Sequence, residues 1–355
     1  MRLINKLLYC LAAGIPVITL AACSSGGSTG VASGPPPEQS TIVIDAVPTA
    51  DAAGLYIAQD NGYFAQQGLT VKIVPINGGE YGIGDLQTGK AQLIEGNYVS
   101  FILAQIAGTF AAPNPNNPAL PPEPAKPIDM RLIADSSQMQ PGNQGLYVLP
   151  DSPYKTVQEL VKHHVKVGVN SLHNIGSVLL GSLLASDGFQ VGALDQSPQV
   201  LPFMPQLLAQ HVISAAWLPE PFATEAQQQY GAVQLADFDQ GSLQNFPIGT
   251  IGGSNSWVQA HPNTVAAFLR AYNEGQQVAD TNRAAVEEAL VKNGVVPPGS
   301  LGPEIAATMT LDTYPLVMDV PVMQRVADAM YQFGVIGKPY TIDKMIQPEP
   351  GEING

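Results

Sequence analysis

Cysteine is scarce in this sequence. Only two of the 355 residues are Cys, at positions 10 and 23. A disulfide framework is therefore excluded, and a catalytic thiol or a thiolate metal site would have to use one of these two residues. If the first 22 residues are removed, as the N-terminal pattern below predicts, Cys23 becomes the first residue and no intramolecular pair is left.

Basic residues are also few. The chain has 15 Lys and Arg against 29 Asp and Glu, for a formal net charge of -14. This balance repels nucleic acid and anionic lipid headgroups, so we expect neither as a partner through charge. With 45% apolar and 12% charged residues the composition is globular, and the length suits either two lobes with separate cores or one large α/β domain.

The common catalytic motifs are missing as well. The chain contains no His-Glu-x-x-His zinc motif, no Gly-x-Ser-x-Gly nucleophile turn and no Gly-x-x-x-x-Gly-Lys phosphate loop. The pair His163-His164 falls at the end of a predicted helix, where we expect both rings to be exposed. We therefore predict no metal, no cofactor and no enzymatic activity.

The N-terminus has the pattern of an export signal. Arg2 and Lys6 precede an apolar stretch that runs only from Leu7 to Leu20 and is interrupted by Gly14 and Pro16. A transmembrane helix needs about 20 apolar residues, so this stretch is too short and too broken to span a membrane. We predict a signal peptide over residues 1–22.

The next residues, Leu20-Ala21-Ala22-Cys23, resemble the lipobox of bacterial lipoproteins. The resemblance implies cleavage before Cys23, a diacylglycerol on its thiol, and anchoring at the outer face of the cell membrane, where more than one acyl chain is needed for stable binding. The alternative is an ordinary cleaved signal with an incidental Cys. Residues 23–40 are rich in Gly, Ser and Pro and are predicted to be a flexible tether.

From Thr41 onward, short β-type runs alternate with amphipathic segments, which predicts an α/β fold with a parallel sheet flanked by helices. Residues 111–127, AAPNPNNPALPPEPAKP, can form neither a helix nor a central strand and are predicted to be a surface loop. That loop is either a contact with a partner protein or a tolerated insertion. Residues 346–355 are assigned to a C-terminal tail.

Candidate ligand contacts follow from the strand ends, because ligands of open α/β sheets bind beyond the carboxyl ends of the strands. Polar, aromatic and glycine residues at these predicted ends form the candidate set: Thr49, Asp51, Gly79, Tyr81, Asn97, Ser137, Asn174, Gly176, Ser177, Trp217 and Glu220.

Several candidates have a second interpretation. The amides of Gly176 and Ser177 at a helix start can hold an anionic or electron-rich group, or Asn174 or Ser177 caps that helix. Trp217 either stacks on a ring or packs in the core. Glu220 either accepts hydrogen bonds from an amino group or stabilises the next helix, and Asp51 is either a ligand contact or an N-cap.

The predicted cleft loops contain acidic residues but no Arg or Lys. The acidic residues are Asp51, Glu80, Asp135 and Glu220. A sulfonate or nitrate usually binds to a guanidinium group, so this set favours a neutral or amine-bearing aromatic ligand such as an aminopyrimidine.

An ordered series of short motifs resembles one family. The segments are Gly62-Tyr63-Phe64, Gly68-Leu69-Thr70-Val71, Asn77-Gly78-Gly79, Thr88-Gly89-Lys90-Ala91, Asn174-Ile175-Gly176-Ser177, Ala215-Ala216-Trp217-Leu218-Pro219-Glu220-Pro221-Phe222 and Phe333-Gly334. Together they resemble the nitrate/sulfonate/taurine solute-binding proteins of ABC transporters and the related thiamine-pyrimidine-precursor binders, over residues 41–340. The sequence departs from the family at Val212, where Asp is common, and in the proline-rich loop.

The resemblance implies a type II periplasmic-binding-protein fold, in which two α/β lobes are joined by two hinge strands around a ligand cleft. We expect lobe 1 to comprise residues 41–146 and 249–345 and lobe 2 residues 147–248, with crossings near Gly145–Leu149 and Ile248–Gly252.

The function implied is the substrate-binding subunit of an ABC importer. It would capture a small molecule, either a sulfonate-, nitrate- or taurine-like compound or an aminopyrimidine thiamine precursor, by hinge closure. It would then deliver this molecule to an ABC permease, the partner that the proline-rich loop would contact in one of its two interpretations. One alternative is a lipoprotein that senses a ligand or scaffolds a complex without transport. A second is a pyrimidine-synthesis enzyme of the same fold, although that branch carries a Cys-rich iron-binding motif that this chain lacks.

Overall fold

The computed structural model describes residues 34–106 and 126–346. The predicted signal peptide, Cys23, most of the tether, nearly all of the proline-rich loop and the end of the chain lie outside the described residues. No helix in the described ranges is both long and apolar enough to cross a membrane.

Two five-stranded sheets organise the described part of the chain, as expected of an α/β fold. The first sheet has the strand order β2-β1-β3-β10-β4 and the second β7-β6-β8-β5-β9. The strands are β1 (Thr41–Ala46), β2 (Thr70–Pro75), β3 (Leu93–Asn97), β4 (Met130–Gln138), β5 (Gln144–Val148), β6 (Lys166–Val169), β7 (Asp195–Pro198), β8 (Ala215–Pro219), β9 (Val233–Asp237) and β10 (Pro247–Ser254).

Helices connect and cover these strands. They are α1 (Ala53–Asp60), α2 (Tyr63–Gln66), α3 (Gly79–Thr88), α4 (Tyr98–Ile106), α5 (Val157–Lys162), α6 (Ile175–Ser186), α7 (Met204–Ala209), α8 (Phe222–Tyr230), α9 (Asn255–Ala260), α10 (Pro262–Thr281), α11 (Arg283–Lys292), α12 (Leu301–Thr308) and α13 (Val320–Gln332). Short 3₁₀ turns precede α1 and α7, at Ala50–Ala52 and Leu201–Phe203.

The sheets are mixed, which corrects the prediction of a parallel sheet. Strand β10 runs antiparallel to both β3 and β4, and β5 runs antiparallel to β8 and β9. Pro247, at the start of β10, pairs with Gln138, at the end of β4. The chain therefore re-enters the first sheet at the edge where β3 and β4 end. From there β10 has to run in the direction opposite to both strands.

The chain crosses between the sheets twice, at residues 139–143 and 238–246. The two crossings lie side by side, because the Met139 N–H donates to the Phe246 carbonyl at 2.8 Å. The sequence-based prediction placed the crossings slightly later, near Gly145–Leu149 and Ile248–Gly252, where the chain forms most of β5 and part of β10. A hydrophobic run shows that a strand forms but not which sheet it joins. We call the described residues up to 138 and from 247 onward the first half, and residues 144–237 the second half.

The packed part of the chain begins before the first strand. Glu38 accepts hydrogen bonds from the Asn263 and Thr264 amides at the start of α10, at 3.0 and 2.8 Å. Gln39 accepts from the Trp257 indole at 3.0 Å. These two residues, assigned from sequence to the tether, are thus fixed to the first half.

Close approach of α3 to β3 depends on glycine. A Cβ atom on Gly96, in β3, would lie 2.9 Å from the Gly79 Cα, which is closer than real Cβ contacts come. Strand β3 is buried at all five positions. The start of α3 and the end of β3 therefore meet beside the gap between the two sheets, where the candidate site lies.

Candidate functional site

An open cavity lies between the two sheets. The space between its walls is about 410 Å³, the open solvent at its mouth included. Both halves contribute to its lining, which consists of Val47, Thr49, Asp51, Gly78, Glu95, Gly96, Asn97, Ile248 and Gly249 from the first half, and Gln144, Asn170, Ile175, Leu201, Trp217 and Pro219 from the second.

The wall from the first half carries two carboxyl groups. The Ser137 hydroxyl donates to the Asp51 carboxylate. Glu95 accepts from the Ser136 hydroxyl at 3.1 Å and from the Val47 amide at 3.3 Å. Both acidic side chains are thus held in place by neighbouring donors while they face the cavity.

The two carboxyl groups on this wall are electrostatically coupled. Burial and, to a smaller extent, the nearby Asp51 raise the pKa of Glu95 to about 8, against the opposing effect of the hydrogen bonds from Ser136 and Val47. At neutral pH Glu95 is therefore mostly protonated and can donate one hydrogen bond as well as accept others.

The wall from the second half is mainly apolar. Trp217 is 3% exposed, and its indole N–H donates to the Gln144 side chain at 3.2 Å. A Cβ atom on Gly176 would lie 2.9 Å from the Trp217 ring, so the glycine lets α6 pack closely on the indole. Ile175, Leu201 and Pro219 complete a surface suited to a flat apolar group.

Two amide side chains add polar groups to this lining. The Asn170 Oδ1 atom is buried and has no hydrogen-bond partner among the described residues. Asn97 is held by Ser100, whose backbone amide donates to its Oδ1 at 2.9 Å. The open acceptor on Asn170 suits a ligand that donates a hydrogen bond.

Four of the eleven predicted contacts line this cavity: Thr49, Asp51, Asn97 and Trp217. The other seven lie close to it but are not among its lining residues: Gly79, Tyr81, Ser137, Asn174, Gly176, Ser177 and Glu220. Asp51 is not an N-cap, because it lies inside the 3₁₀ turn before α1.

Glu220 is engaged within the protein. Its carboxylate accepts from the Thr224 amide and hydroxyl at 3.0 and 2.8 Å, and from the Thr310 amide at 3.3 Å. Burial raises the pKa of Glu220 to about 7, although these hydrogen bonds and Arg283 act against the shift. Of its two interpretations, stabilisation of the following helix fits the structure.

The start of α6 is also engaged. Asn174 caps the helix by accepting from the Ile175 amide at 2.6 Å, and the Ser177 hydroxyl donates to Gln196 at 2.5 Å. Asn174 thus caps the helix, which is one of its two interpretations, while the anion-binding role of the α6 start stays a prediction. Gly176 contacts Trp217, and Ser137 orients Asp51.

The remaining candidates lie around the start of α3. Gly79 packs on Gly96, as described above. Tyr81 is half-buried, and burial together with the neighbouring Glu80 raises its pKa to about 12. Neither residue is part of the lining.

The sequence-based set missed several lining residues, of which Glu95 is the most informative. The strand-end rule selected residues that follow strands, whereas Glu95 lies inside β3, within the buried run LIEGN. The signal that could have identified Glu95 is a single acidic residue within an otherwise uncharged strand pattern. Gln144, Ile248 and Gly249 were missed because they lie next to the crossings and not after a predicted strand.

No Lys or Arg is found among the described residues that line the cavity. This agrees with the absence of basic residues from the predicted loops, although Glu80, Asp135 and Glu220 are not part of the lining. Within the described ranges, no group of three or more His, Cys, Asp or Glu side chains is arranged to hold a metal ion.

Comparison with protein families gives two matches. Residues 49–107 match the NMT1/THI5-like family, and residues 138–292 match the NMT1-like family. The two matched segments cover the cavity-lining residues of both halves, apart from Val47. A search of curated proteins found no match.

Solved structures share the fold at low sequence identity. The alkanesulfonate-binding protein SsuA from Xanthomonas axonopodis pv. citri, bound to MOPS, superposes with a TM-score of 0.69 at 16% identity, covering 87% of this chain and 99% of that one. The ligand-binding component of an ABC-type import system from Staphylococcus aureus gives 0.69 at 13%, covering 89% and 99%. The periplasmic nitrate-binding protein NrtA from Synechocystis PCC 6803 gives 0.59 at 15%, covering 88% and 92%.

Proposed function

We propose that the chain is the extracytoplasmic substrate-binding subunit of an ABC importer, because segments of it match the NMT1/THI5-like and NMT1-like families and it shares the fold of periplasmic binding proteins. It binds a small molecule between its halves and presents it to a membrane permease. The named structural neighbours are binding proteins, which supports a role in binding rather than in catalysis.

The ligand in this proposal is a planar, amine-bearing aromatic compound of the aminopyrimidine class. One observation carries this choice: Asp51 and Glu95 form one wall, Trp217 lies in the opposite wall, and no described lining residue is Lys or Arg. A ring can lie against Trp217 while its amino group donates to Asp51 and to the open Asn170 oxygen. A sulfonate or nitrate would place its negative charge against Asp51 without a cation to offset it.

Binding is coupled to movement of the halves in this proposal. Lobe 1 corresponds to the first half and lobe 2 to the second, and the paired segments 139–143 and 238–246 act as the hinge. A ligand that touches Asp51 on one side and Trp217 on the other favours the closed arrangement, because only that arrangement makes both contacts.

Titration calorimetry with three probes tests the ligand class. We expect heat from an aminopyrimidine and none from taurine or from an alkanesulfonate at the same concentrations. Heat from taurine with no response to the aminopyrimidine would overturn the assignment. Uptake of the bound compound by cells with and without the protein would then separate a transport subunit from a sensing or scaffolding lipoprotein.

Location at the outer face of the cell membrane is part of the same proposal, with Cys23 as the lipid-bearing residue. Mass spectrometry of the N-terminal peptide from membrane-purified protein tests it. We expect a peptide that begins at Cys23 and carries acyl chains. A mature chain with an unmodified Cys23, or with a different first residue, would contradict the anchor.

A further inference from the structure

Two helices from opposite halves meet beside the cavity. Glu80 is the second residue of α3, in the first half, and Asn174 is the N-cap of α6, in the second. The Asn174 side-chain amide donates to Glu80 Oε2 at 3.1 Å and also lies 3.0 Å from the Ser100 hydroxyl oxygen. The Ser100 hydroxyl in turn donates to the same Glu80 oxygen at 3.1 Å.

This triangle is nearly inaccessible to water. Glu80 is 8% exposed, Asn174 3% and Ser100 1%. Burial raises the pKa of Glu80, while hydrogen bonds from Ser171, Ser100 and Asn174 act in the opposite direction. The Glu80 carboxyl thus accepts from one side chain of each half, Ser100 in the first and Asn174 in the second.

The triangle is connected to the lining of the cavity. The Ser100 hydroxyl lies 3.2 Å from the Oδ1 atom of Asn97, and the Ser100 amide donates to that atom at 2.9 Å. Gly78 and Ile175, which line the cavity, are close neighbours along the chain of Glu80 and Asn174. Ser100 is therefore the single side chain that connects the triangle to Asn97 in the lining.

We propose that Glu80, Ser100 and Asn174 form a clasp that holds the two halves together beside the cavity and fixes the position of Asn97. Glu80 is the positioning residue, because its carboxylate is the acceptor shared by both halves. The clasp consists of protein groups alone, so it goes beyond the proposed transport role and does not depend on the identity of the ligand.

Other contacts also join the halves. Glu220 bonds to Thr310, and α13 contacts both α4 and α6. The clasp differs from them in that it ends on a cavity-lining side chain. The experiment described next measures whether the polar clasp or these other contacts determine the separation of the halves.

Asn174→Asp is the decisive substitution. The aspartate keeps an oxygen to cap α6, since Asp and Asn cap equally well, but it has no amide protons to donate and places a second carboxyl group against Glu80. The double variant Glu80→Gln with Asn174→Asp reverses donor and acceptor, so that the amide introduced in α3 can donate to the carboxylate introduced at the start of α6. Any effect of the single variant on the clasp should therefore be reversed by the second substitution.

The distance between the far ends of the two helices provides the readout. In the full chain with Cys10 and Cys23 replaced by Ser, spin labels are placed on cysteines at Thr88 and Asp187, which are exposed at the ends of α3 and α6. Pulsed electron resonance then measures the distance distribution without added ligand. We expect Asn174→Asp to shift it to longer distances and the double variant to restore it.

Superimposable distributions for the unsubstituted labelled protein and Asn174→Asp would overturn the clasp, as would a shift that the double variant fails to reverse. If Asn174→Asp does not fold, Ser100→Ala takes its place and must shift the distribution in the same direction. The shift could be reversed as expected in a protein that binds none of the three calorimetry probes. That result would support the clasp and contradict the proposed ligand.

Discussion

The two walls of the cavity differ in chemistry. The wall from the first half presents Asp51 and Glu95, both held by hydroxyl groups of β4, and the wall from the second half presents Trp217 among Ile175, Leu201 and other apolar groups. Neither wall alone specifies a ligand. Together they favour a compound with hydrogen-bond donors on one edge and a flat apolar face, which is why the proposed ligand bridges the halves.

The largest expected effect on binding comes from removing the ring of the apolar wall. Trp217→Ala should weaken binding of the aminopyrimidine by roughly 30-fold or more, as expected for a buried aromatic anchor. It should also lower the free energy of unfolding by about 3–5 kcal/mol, because it leaves a cavity in the core. Calorimetry and urea unfolding measure the two effects.

Trp257→Ala is the matched control for the apolar wall. Trp257 lies in the first half, stacks on His261 and takes no part in lining the cavity. We expect it to change stability but leave the affinity for the aminopyrimidine unchanged. Equal losses of affinity in the two tryptophan variants would show that the effect of Trp217→Ala arises from general destabilisation.

The acidic wall should give the next largest effect. Asp51→Asn keeps an oxygen to accept from Ser137 but removes the charge, and a hydrogen bond to a charged group contributes about 1.5–3 kcal/mol. Affinity for the aminopyrimidine should therefore fall by roughly 10- to 100-fold. Asp187→Asn, at an exposed position, is the control, and a loss of the same size there would contradict a local role for Asp51.

Stability against pH tests the acidic wall without ligand. The pKa of Glu95 is about 8 in the folded protein, above its usual 4.5, so the folded state binds the extra proton between these values. Stability should fall as pH rises through this window, by up to about 1.4 kcal/mol per pH unit from this group. Asp135 and Glu220, whose pKa values are raised to about 7, act in the same direction.

Glu95→Gln should flatten this pH dependence. Glutamine keeps an oxygen for Ser136 and carries no titrating proton, so the decline in stability as the pH rises from 4.5 to about 8 should become shallower. Chemical unfolding at several pH values measures the slope. An identical slope in the two proteins would show that Glu95 is not the buried acid that governs it.

The smallest effect is expected for a predicted contact that does not line the cavity. Glu220→Gln should change the affinity for the aminopyrimidine by less than about 2-fold, because the hydrogen bonds of Glu220 are made within the protein and not to the ligand. It should lower stability by about 1 kcal/mol through weaker bonds to Thr224. An affinity loss comparable to that of Asp51→Asn would show that Glu220 contributes to ligand binding after all.

The fold could be predicted from the sequence more fully than the site. Alternating strand and helix patterns, the motif Gly62-Tyr63-Phe64 and the segment from Ala215 to Phe222 indicated the family. The direction of β10 could not be predicted, because a hydrophobic strand pattern is the same whichever way the strand runs. The predicted positions of the crossings differ from those in the structure, because a hydrophobic pattern does not show which sheet a strand joins.

Cavity-lining residues were predictable when they lie at or just beyond the end of a strand, as Thr49, Asp51 and Asn97 do. Glu95 was not, because it lies inside a buried strand and faces the cavity only through the tertiary arrangement. Asn174 was assigned to the ligand because sequence cannot show that a cap also reaches Glu80 in the opposite half. Contacts between segments that are far apart in the chain cannot be predicted from the pattern of a single sequence.

The mass of the compound that stays bound to natively purified protein tests the central claim most directly. The protein is isolated without unfolding, denatured, and the released small molecules are identified by mass spectrometry. We predict a planar nitrogen-containing ring with an amino group, released in proportion to the protein. Release of a sulfonate, nitrate or another anion in that proportion would contradict the account.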